Sequence, residues 1–152
     1  MKFRDVILKY YKMVYHISLE YLRRKEDAED IVQEVFFKYA KYINEEKKTF
    51  EDELHEKYWI IRITINSCCN YLKDPKRKKD LEDKKDVIMK DNLLFDEIQK
   101  LEDMYKSVFI LHYLEDFKTN DIGAILEVSE ETVKTRLKRA RECLKDGLKI
   151  EE

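Results

Sequence analysis

Glu131, Thr135, Lys138 and Arg139 share one face of a helix if residues beyond 130 advance by about 100° each, while Val133, Leu137, Ala140 and Leu144 share the opposite face. Lys134, Arg136 and Arg141 fall on the flanks. Such a helix has an apolar back, hydrogen-bonding groups in front and cations at its edges. A helix that enters the major groove of duplex DNA needs this division, because base edges are read by hydrogen bonds and phosphates are held by cations. Between Lys134 and Lys149 there are seven basic and two acidic residues, a local positive patch. A surface helix with a solvated basic face is the bland alternative. What precedes it favours the DNA reading. In TNDIGAILEVS, residues 119–129, Gly123 allows two helices to approach closely and Ser129 is a good N-cap for the second. Ile122, Leu126, Val128, Val133 and Leu137 then occupy the buried positions of a helix-turn-helix.

Two other constellations carry chemistry. Asp30, Gln33 and Glu34 lie on the polar side of a helix that begins DAEDIVQEVF, residues 27–36. Carboxylates there can pair with arginines of a partner. In KYWIIRITINSCCNYLK, residues 57–73, Ile61, Ile65, Cys68 and Leu72 lie together. Arg62, Asn66, Asn70 and Lys73 line the other face, and such a row can hydrogen-bond base edges and phosphates. An ordinary amphipathic helix would serve as well if this helix stood alone. Catalysis has little to work with. His16, His55 and His112 are scattered, no Gly-rich phosphate loop occurs, and the carboxylates sit on charged surface. His112, in an apolar helix, is expected to be packed or hydrogen-bonded. Cys68, Cys69 and Cys143 are an odd count without metal-ligand spacing, which reads as plain thiols in a reducing cytosol. No enzyme activity, metal or cofactor is expected.

The elements that must position these faces are helices. Of 152 residues, 42% are charged and only two are Gly and one Pro. So few turn formers argue against a β-sandwich or barrel, and abundant Leu, Ile, Lys and Glu favour helix. The first helix carries one apolar stripe, Phe3, Ile7, Tyr10, Val14, Ile17 and Tyr21, with Lys9, Lys12 and Glu20 off it. A second runs from about Ala28 to Ile43, with Ile31, Val35, Phe36, Tyr39 and Ile43 facing a core. Asn44 to Glu56 is polar, with Phe50 and Leu54 as possible anchors, and a third helix begins near Lys57 and ends at Asp74–Pro75. The segment 76–92 is dense in charge and poor in bulky apolar residues, which reads as a linker, an exposed helix held by charge pairs being the alternative. Periodicity returns at Leu94, Ile98, Leu101, Tyr105, Val108 and Leu111, followed by helices at Thr119–Leu126 and Glu130 to about Leu148. The expectation is an all-α chain of two small helical domains, 1–75 and 93–152, joined by a charged linker.

Charge and hydropathy narrow the setting. The 31 basic and 33 acidic side chains leave a formal net charge of −2, too little cation for a protein that coats nucleic acid. No apolar run approaches the roughly 18 residues of a membrane span, and the start MKFRDVILKYYK has no signal-peptide core. The expected location is the cytoplasm.

DAEDIVQEVF, then YWIIRITINSCCNYL, then a tyrosine-rich helix leading into DIGAILEVSEETVKTRLKRARECL, resembles the extracytoplasmic-function sigma factors of bacterial RNA polymerase. The resemblance covers nearly the whole chain. It implies a non-enzymatic subunit that binds core polymerase and directs promoter-specific initiation. The N-terminal domain would bind the polymerase clamp helices and open the minus-ten element. The C-terminal domain would bind the minus-thirty-five element as duplex and contact the polymerase flap. By position, Asp30, Gln33 and Glu34 match residues that grip the clamp helices. Asn44–Glu56 matches the loop that captures a flipped-out base of the non-template strand. Arg62, Asn66, Asn70 and Lys73 match the DNA-facing side of the following helix, although the family often has Asp and Arg at the last two. Lys134, Thr135 and Arg139 match major-groove contacts. Two departures stand out: Glu102 replaces a usual Pro, and Glu127 replaces the usual turn glycine, which would disfavour a left-handed backbone there. An anti-sigma factor is a further partner that two exposed functional surfaces allow. A stand-alone helix-turn-helix regulator is the competing reading, and it leaves DAEDIVQE unexplained.

Overall fold

A computed structural model describes residues 2–77 and 93–149, and all regular structure among them is helical. The chain divides into two compact units, Met1–Ile88 and Met89–Glu152. Most of the expected linker, 76–92, lies outside the described residues.

The first unit packs three long helices, α1 (Phe3–Leu22), α2 (Lys25–Asn44) and α3 (Glu53–Lys73). Its core comprises Val6, Tyr10, Val14, Ile17 and Tyr21 from α1, Ile31, Val35, Phe36 and Tyr39 from α2, and Ile60, Ile61, Ile65 and Cys68 from α3. Each large aliphatic side chain buried this way contributes about 1.5–3 kcal/mol. The stripe on α1 is wider than a single row, because α2 and α3 both pack on it. Val6 is therefore buried where Ile7 was expected, Ile7 is half-buried and Phe3 is 43% exposed. Glu20, expected off the stripe, is buried and pairs with His16 at 3.3 Å.

Arg23 and Arg24 make the α1–α2 corner. Arg23 adopts a left-handed backbone, φ 62°, and its N–H closes α1 on the Leu19 carbonyl at 2.7 Å. Asp27 then sits in the first turn of α2, where the helix dipole favours a carboxylate. It is buried, accepts a hydrogen bond from the Tyr71 hydroxyl and pairs with Arg24 at 3.2 Å. One acidic residue thus ties the start of α2 to the end of α3. The third helix starts four residues earlier than expected, because Asp52 caps it through a 2.7 Å bond from the His55 N–H. Leu54 is 53% exposed, whereas Phe50 is half-buried and stacks on Tyr42.

In the second unit the apolar run 94–111 is broken into α4 (Leu93–Lys100) and α5 (Asp103–Phe109), with a π-helical turn at Ile110–Leu114. Glu102 makes the break with φ −61° and ψ 151°. That φ lies in the proline range, so the Glu at this position keeps the geometry that a Pro would impose. His112 is half-buried and its Nδ1 bonds the Phe117 carbonyl at 2.9 Å, as expected of a packed histidine.

The helix-turn-helix is formed by α6 (Thr119–Leu126) and α7 (Glu130–Leu148), with the expected limits. Ile122, Ile125, Val133, Leu137, Ala140 and Leu144 are buried, while Leu126 and Val128 are only half-buried. Ile125, absent from the expected set, takes the position inside. A Cβ on Gly123 would lie 2.8 Å from the Val128 carbonyl oxygen, so only glycine permits this turn. Glu127 does adopt the left-handed conformation, φ 59°, against expectation. Its N–H and that of Val128, at 2.9 Å, both reach the Gly123 carbonyl and offset the steric cost. Ser129 caps α7 by accepting from the Thr132 N–H at 3.1 Å, and Thr119 donates to Glu130 at 2.9 Å across the turn.

Candidate nucleic-acid interface

The buried seam of α7 fixes what the helix presents. With Val133, Leu137, Ala140 and Leu144 inside, Glu131, Thr135, Lys138 and Arg139 are exposed on the far side. Lys134 and Arg141 are exposed on the flanks, and Arg136 is half-buried. Side chains on the same helix hold several of these groups in place. Lys134 lies 3.8 Å from Glu130, Arg139 lies 3.5 Å from Glu142, and the Thr135 hydroxyl donates to the Glu131 carbonyl at 3.0 Å. Arg141 instead turns back and donates to the Tyr113 hydroxyl at 3.0 Å. A groove of about 460 Å³ runs beside the front face, lined by Met104, Tyr105, Glu131, Thr135, Arg136 and Arg139. Such a front can hydrogen-bond base edges, and its flanks can hold phosphates.

On α3, Asn66, Asn70 and Lys73 are exposed and Arg62 is half-buried, opposite the buried Ile61, Ile65 and Cys68. Leu72, expected with the apolar set, is half-buried. The structure thus brings the expected row onto one outward side of one helix. The segment between α2 and α3 is held against aromatic rings. Phe50 stacks on Tyr42 with ring centres 5.3 Å apart, meets Trp59 at 5.6 Å, and meets His55 edge-on at 5.4 Å. Tyr39 stacks on Phe50 at 6.0 Å and donates its hydroxyl to Glu56 at 2.8 Å. Burial, and next the hydrogen bond to Glu56, push the Tyr39 phenol well above its ordinary range. Burial and the Asp27 hydrogen bond do the same to Tyr71. Cations rim the segment: Lys47 has φ 52°, and the Lys48 ammonium lies 5.8 Å from the centre of the Tyr42 ring.

Asp30 and Gln33 are exposed on α2 and Glu34 is partly so. All three line an open groove of about 590 Å³ with Ile31, Phe37, Tyr71 and Arg77. Phe37 is 71% exposed, and the Arg77 guanidinium lies 4.4 Å over the Tyr71 ring. Sequence reasoning missed Phe37, although the signal was there. It is out of phase with Ile31, Val35 and Tyr39, so a large ring at that position had to point outward. His55 was also missed, and its signal is the Asp-x-x-His spacing from Asp52, that of a helix cap. Of the cysteines, Cys68 is buried and Cys69 and Cys143 are half-buried.

A first unit whose described elements are helices with an acidic, partly aromatic groove, together with a second unit built on a helix-turn-helix with cations on its outer face, defines a helix-turn-helix protein of two parts. Residues 6–78 match the family Sigma-70 region 2, and residues 92–144 match Sigma-70, region 4. RNA polymerase sigma factor SigV of Bacillus subtilis is 28% identical over 91% of this chain and 86% of its own. ECF RNA polymerase sigma factor SigW of the same organism is 27% identical over 97% of this chain and 89% of its own. Among solved structures, sigma factor RpoE in complex with the anti-sigma factor NepR, from Bartonella quintana, shares the fold with a TM-score of 0.66. Identity there is 20%, over 99% of this chain and 98% of that one. CnrH, in complex with the cytosolic domain of CnrY, gives a TM-score of 0.67 at 18% identity, over 99% and 89%. The chain belongs to the sigma-70 family, as a sigma factor of the extracytoplasmic-function type. It is a non-enzymatic factor for promoter-specific initiation of transcription by RNA polymerase.

Proposed function

We propose that the two units divide the work of initiation by face. On α2, Asp30, Gln33 and Glu34 bind basic clamp helices of core polymerase, with Phe37 as an apolar anchor beside them. The segment 45–52 receives a flipped-out base of the minus-ten element, with Lys47 and Lys48 at its rim, and Arg62, Asn66, Asn70 and Lys73 track the adjoining strand. On α7, Thr135 and Arg139 read the minus-thirty-five element in the major groove, with Glu131, Lys134, Arg136 and Lys138 around them, and the same unit touches the polymerase flap. The domains run 1–75 and 93–152 with a charged linker at 76–92. One observation carries the reading: every group given a DNA role on α7 lies off a seam whose Val133 and Ala140 have no exposed surface.

The setting is the cytoplasm, where polymerase works, and no described helix is long and apolar enough to cross a membrane. An anti-sigma protein is a further partner, as NepR is for its own sigma factor. It would compete for outward groups such as Phe37. The test is to reconstitute the chain with core polymerase and map transcription start sites. Start sites that share an upstream and a downstream element, absent with core enzyme alone, are expected. Failure to form a complex with core polymerase would overturn the reading.

A further inference from the structure

We propose that His55 is a positioning residue for promoter opening, which holds the segment 45–52 in the shape that receives an unstacked base. This rests on the reading of that segment as the base-capturing loop.

The observation is a reciprocal cap. Asp52 Oδ1 accepts from the His55 N–H at 2.7 Å, and His55 Nδ1 accepts from the Glu51 N–H at 3.1 Å. A capping box has the same logic, with the residue three positions into the helix reaching back to a backbone N–H before it. There it is a Glu or Gln; here it is an imidazole. To accept at Nδ1 the ring must be neutral and carry its proton on Nε2. The ring has a second contact, edge-on to Phe50 at 5.4 Å and 89°. Phe50 in turn stacks on Tyr42 and Tyr39. At the other end, the Glu45 N–H bonds the Lys41 carbonyl at 2.9 Å and the Lys48 N–H bonds the Tyr42 carbonyl at 3.3 Å. Residues 44–49 are exposed, although Glu45 and Lys48 are fastened through their backbone N–H groups.

The segment is therefore fastened along its backbone while the side chains of residues 44–49 stay outward. A loop that must receive a base gains from being ordered before the base arrives, because ordering it at that moment would be charged against binding. His55 itself is exposed and belongs to no core, so removing its hydrogen bond leaves the three-helix packing in place. Its effect should fall on the loop.

Two substitutions separate the two contacts. H55F keeps a ring against Phe50 and has no acceptor; H55Q keeps an acceptor and loses the ring. In holoenzyme on a promoter with a minus-ten element, strand opening is read by permanganate reactivity of unpaired thymines. Affinity for core polymerase and the thermal midpoint are measured alongside. H55F should lower the open fraction about 3- to 10-fold, the worth of one hydrogen bond, with core affinity and midpoint unchanged. H55Q should open as wild type does. Equal loss in both variants, or loss of core affinity in H55F, would overturn the acceptor role. A double variant, K47A with K48A, guards the underlying reading. If it lowers opening while H55F does not, the role of His55 falls alone. If neither changes opening, the segment is not the base-capturing loop.

Discussion

Asp27 and Asp30 stand three residues apart in one motif, one turn apart on the same side of α2, and differ in burial. Asp27 is buried between Tyr71 and Arg24, and Asp30 is exposed on the groove with Phe37. Asp27→Ala leaves a buried phenol without its acceptor and should cost about 1–3 kcal/mol, read from the urea midpoint of the folded chain. Asp30→Ala with Glu34→Ala should leave that midpoint unchanged and weaken binding to core polymerase. Equal affinity of the double variant and wild type in a titration against core enzyme would remove both carboxylates from the interface. The second residue-scale prediction concerns Arg139, exposed on α7 and steadied by Glu142 at 3.5 Å. Two hydrogen bonds from its guanidinium to a guanine edge are worth about 1–3 kcal/mol of discrimination. Arg139→Ala should lower transcription from promoters that depend on the upstream element and spare those that do not, with the far-UV circular dichroism unchanged. A uniform drop over both sets would make Arg139 a phosphate or polymerase contact instead.

At the scale of elements, the turn at Glu127 and the phenols on α2 and α3 give two stability predictions. A left-handed backbone costs a non-glycine residue about 1–2 kcal/mol, and Glu127 adopts one at φ 59°. Glu127→Gly should recover about 1 kcal/mol after the greater flexibility of glycine in the unfolded chain is deducted, raising the denaturation midpoint of the second unit. Tyr39 and Tyr71 have phenols raised above their ordinary 10 by burial and by carboxylate partners. The unfolded chain therefore loses those protons first. The stabilisation they give is complete below pH 10 and declines as pH rises beyond it. A urea midpoint that falls steeply above pH 10 in wild type should fall less in the double variant Tyr39→Phe, Tyr71→Phe. The helices themselves were largely legible from the spacing of apolar residues. The limits of the helix-turn-helix and the seam Val133–Leu137–Ala140–Leu144 emerge from the spacing alone, because a helix packed on one side has a single stripe. The stripe on α1 departs from a single row at Ile7 and Glu20, because two neighbours pack there and periodicity cannot count neighbours. The start of α3 lies ahead of its apolar run, at Glu53, because Asp52 caps it, and a spacing of apolar residues does not register a cap. The left-handed turn at Glu127 is not legible in residue type, because it depends on two amide bonds to the Gly123 carbonyl.

For the whole molecule, a net charge of −2 sets how it meets DNA. Phosphate contacts supply most non-specific affinity, and here the cations of α7 are set against acidic residues elsewhere in the chain. Free protein should therefore bind random duplex weakly, with a shallow dependence on salt. In complex with core polymerase it should bind promoters tightly, the difference being measurable by fluorescence anisotropy over a salt series. Tight binding of free protein to random duplex would contradict this. The outward placement of the rows on α3 and α7 could be read from sequence, since each lies away from an apolar seam. The aromatic cradle of the α2–α3 segment could not, because Tyr39, Tyr42, Phe50 and Trp59 are brought together by a turn that periodicity does not describe.

The contact at Gly123 has a genetic consequence. An alanine there would press on the Val128 carbonyl, and the turn would have to open. The helix α7 keeps its own cap, Ser129 on Thr132, while the Thr119–Glu130 bond across the turn is strained. Such a chain would fold yet offer α7 at a changed angle, while the α2 groove remained intact. In a cell with two alleles, the altered product would still occupy polymerase without finding upstream elements. The allele would then behave as a dominant-negative mutation rather than a recessive loss of function.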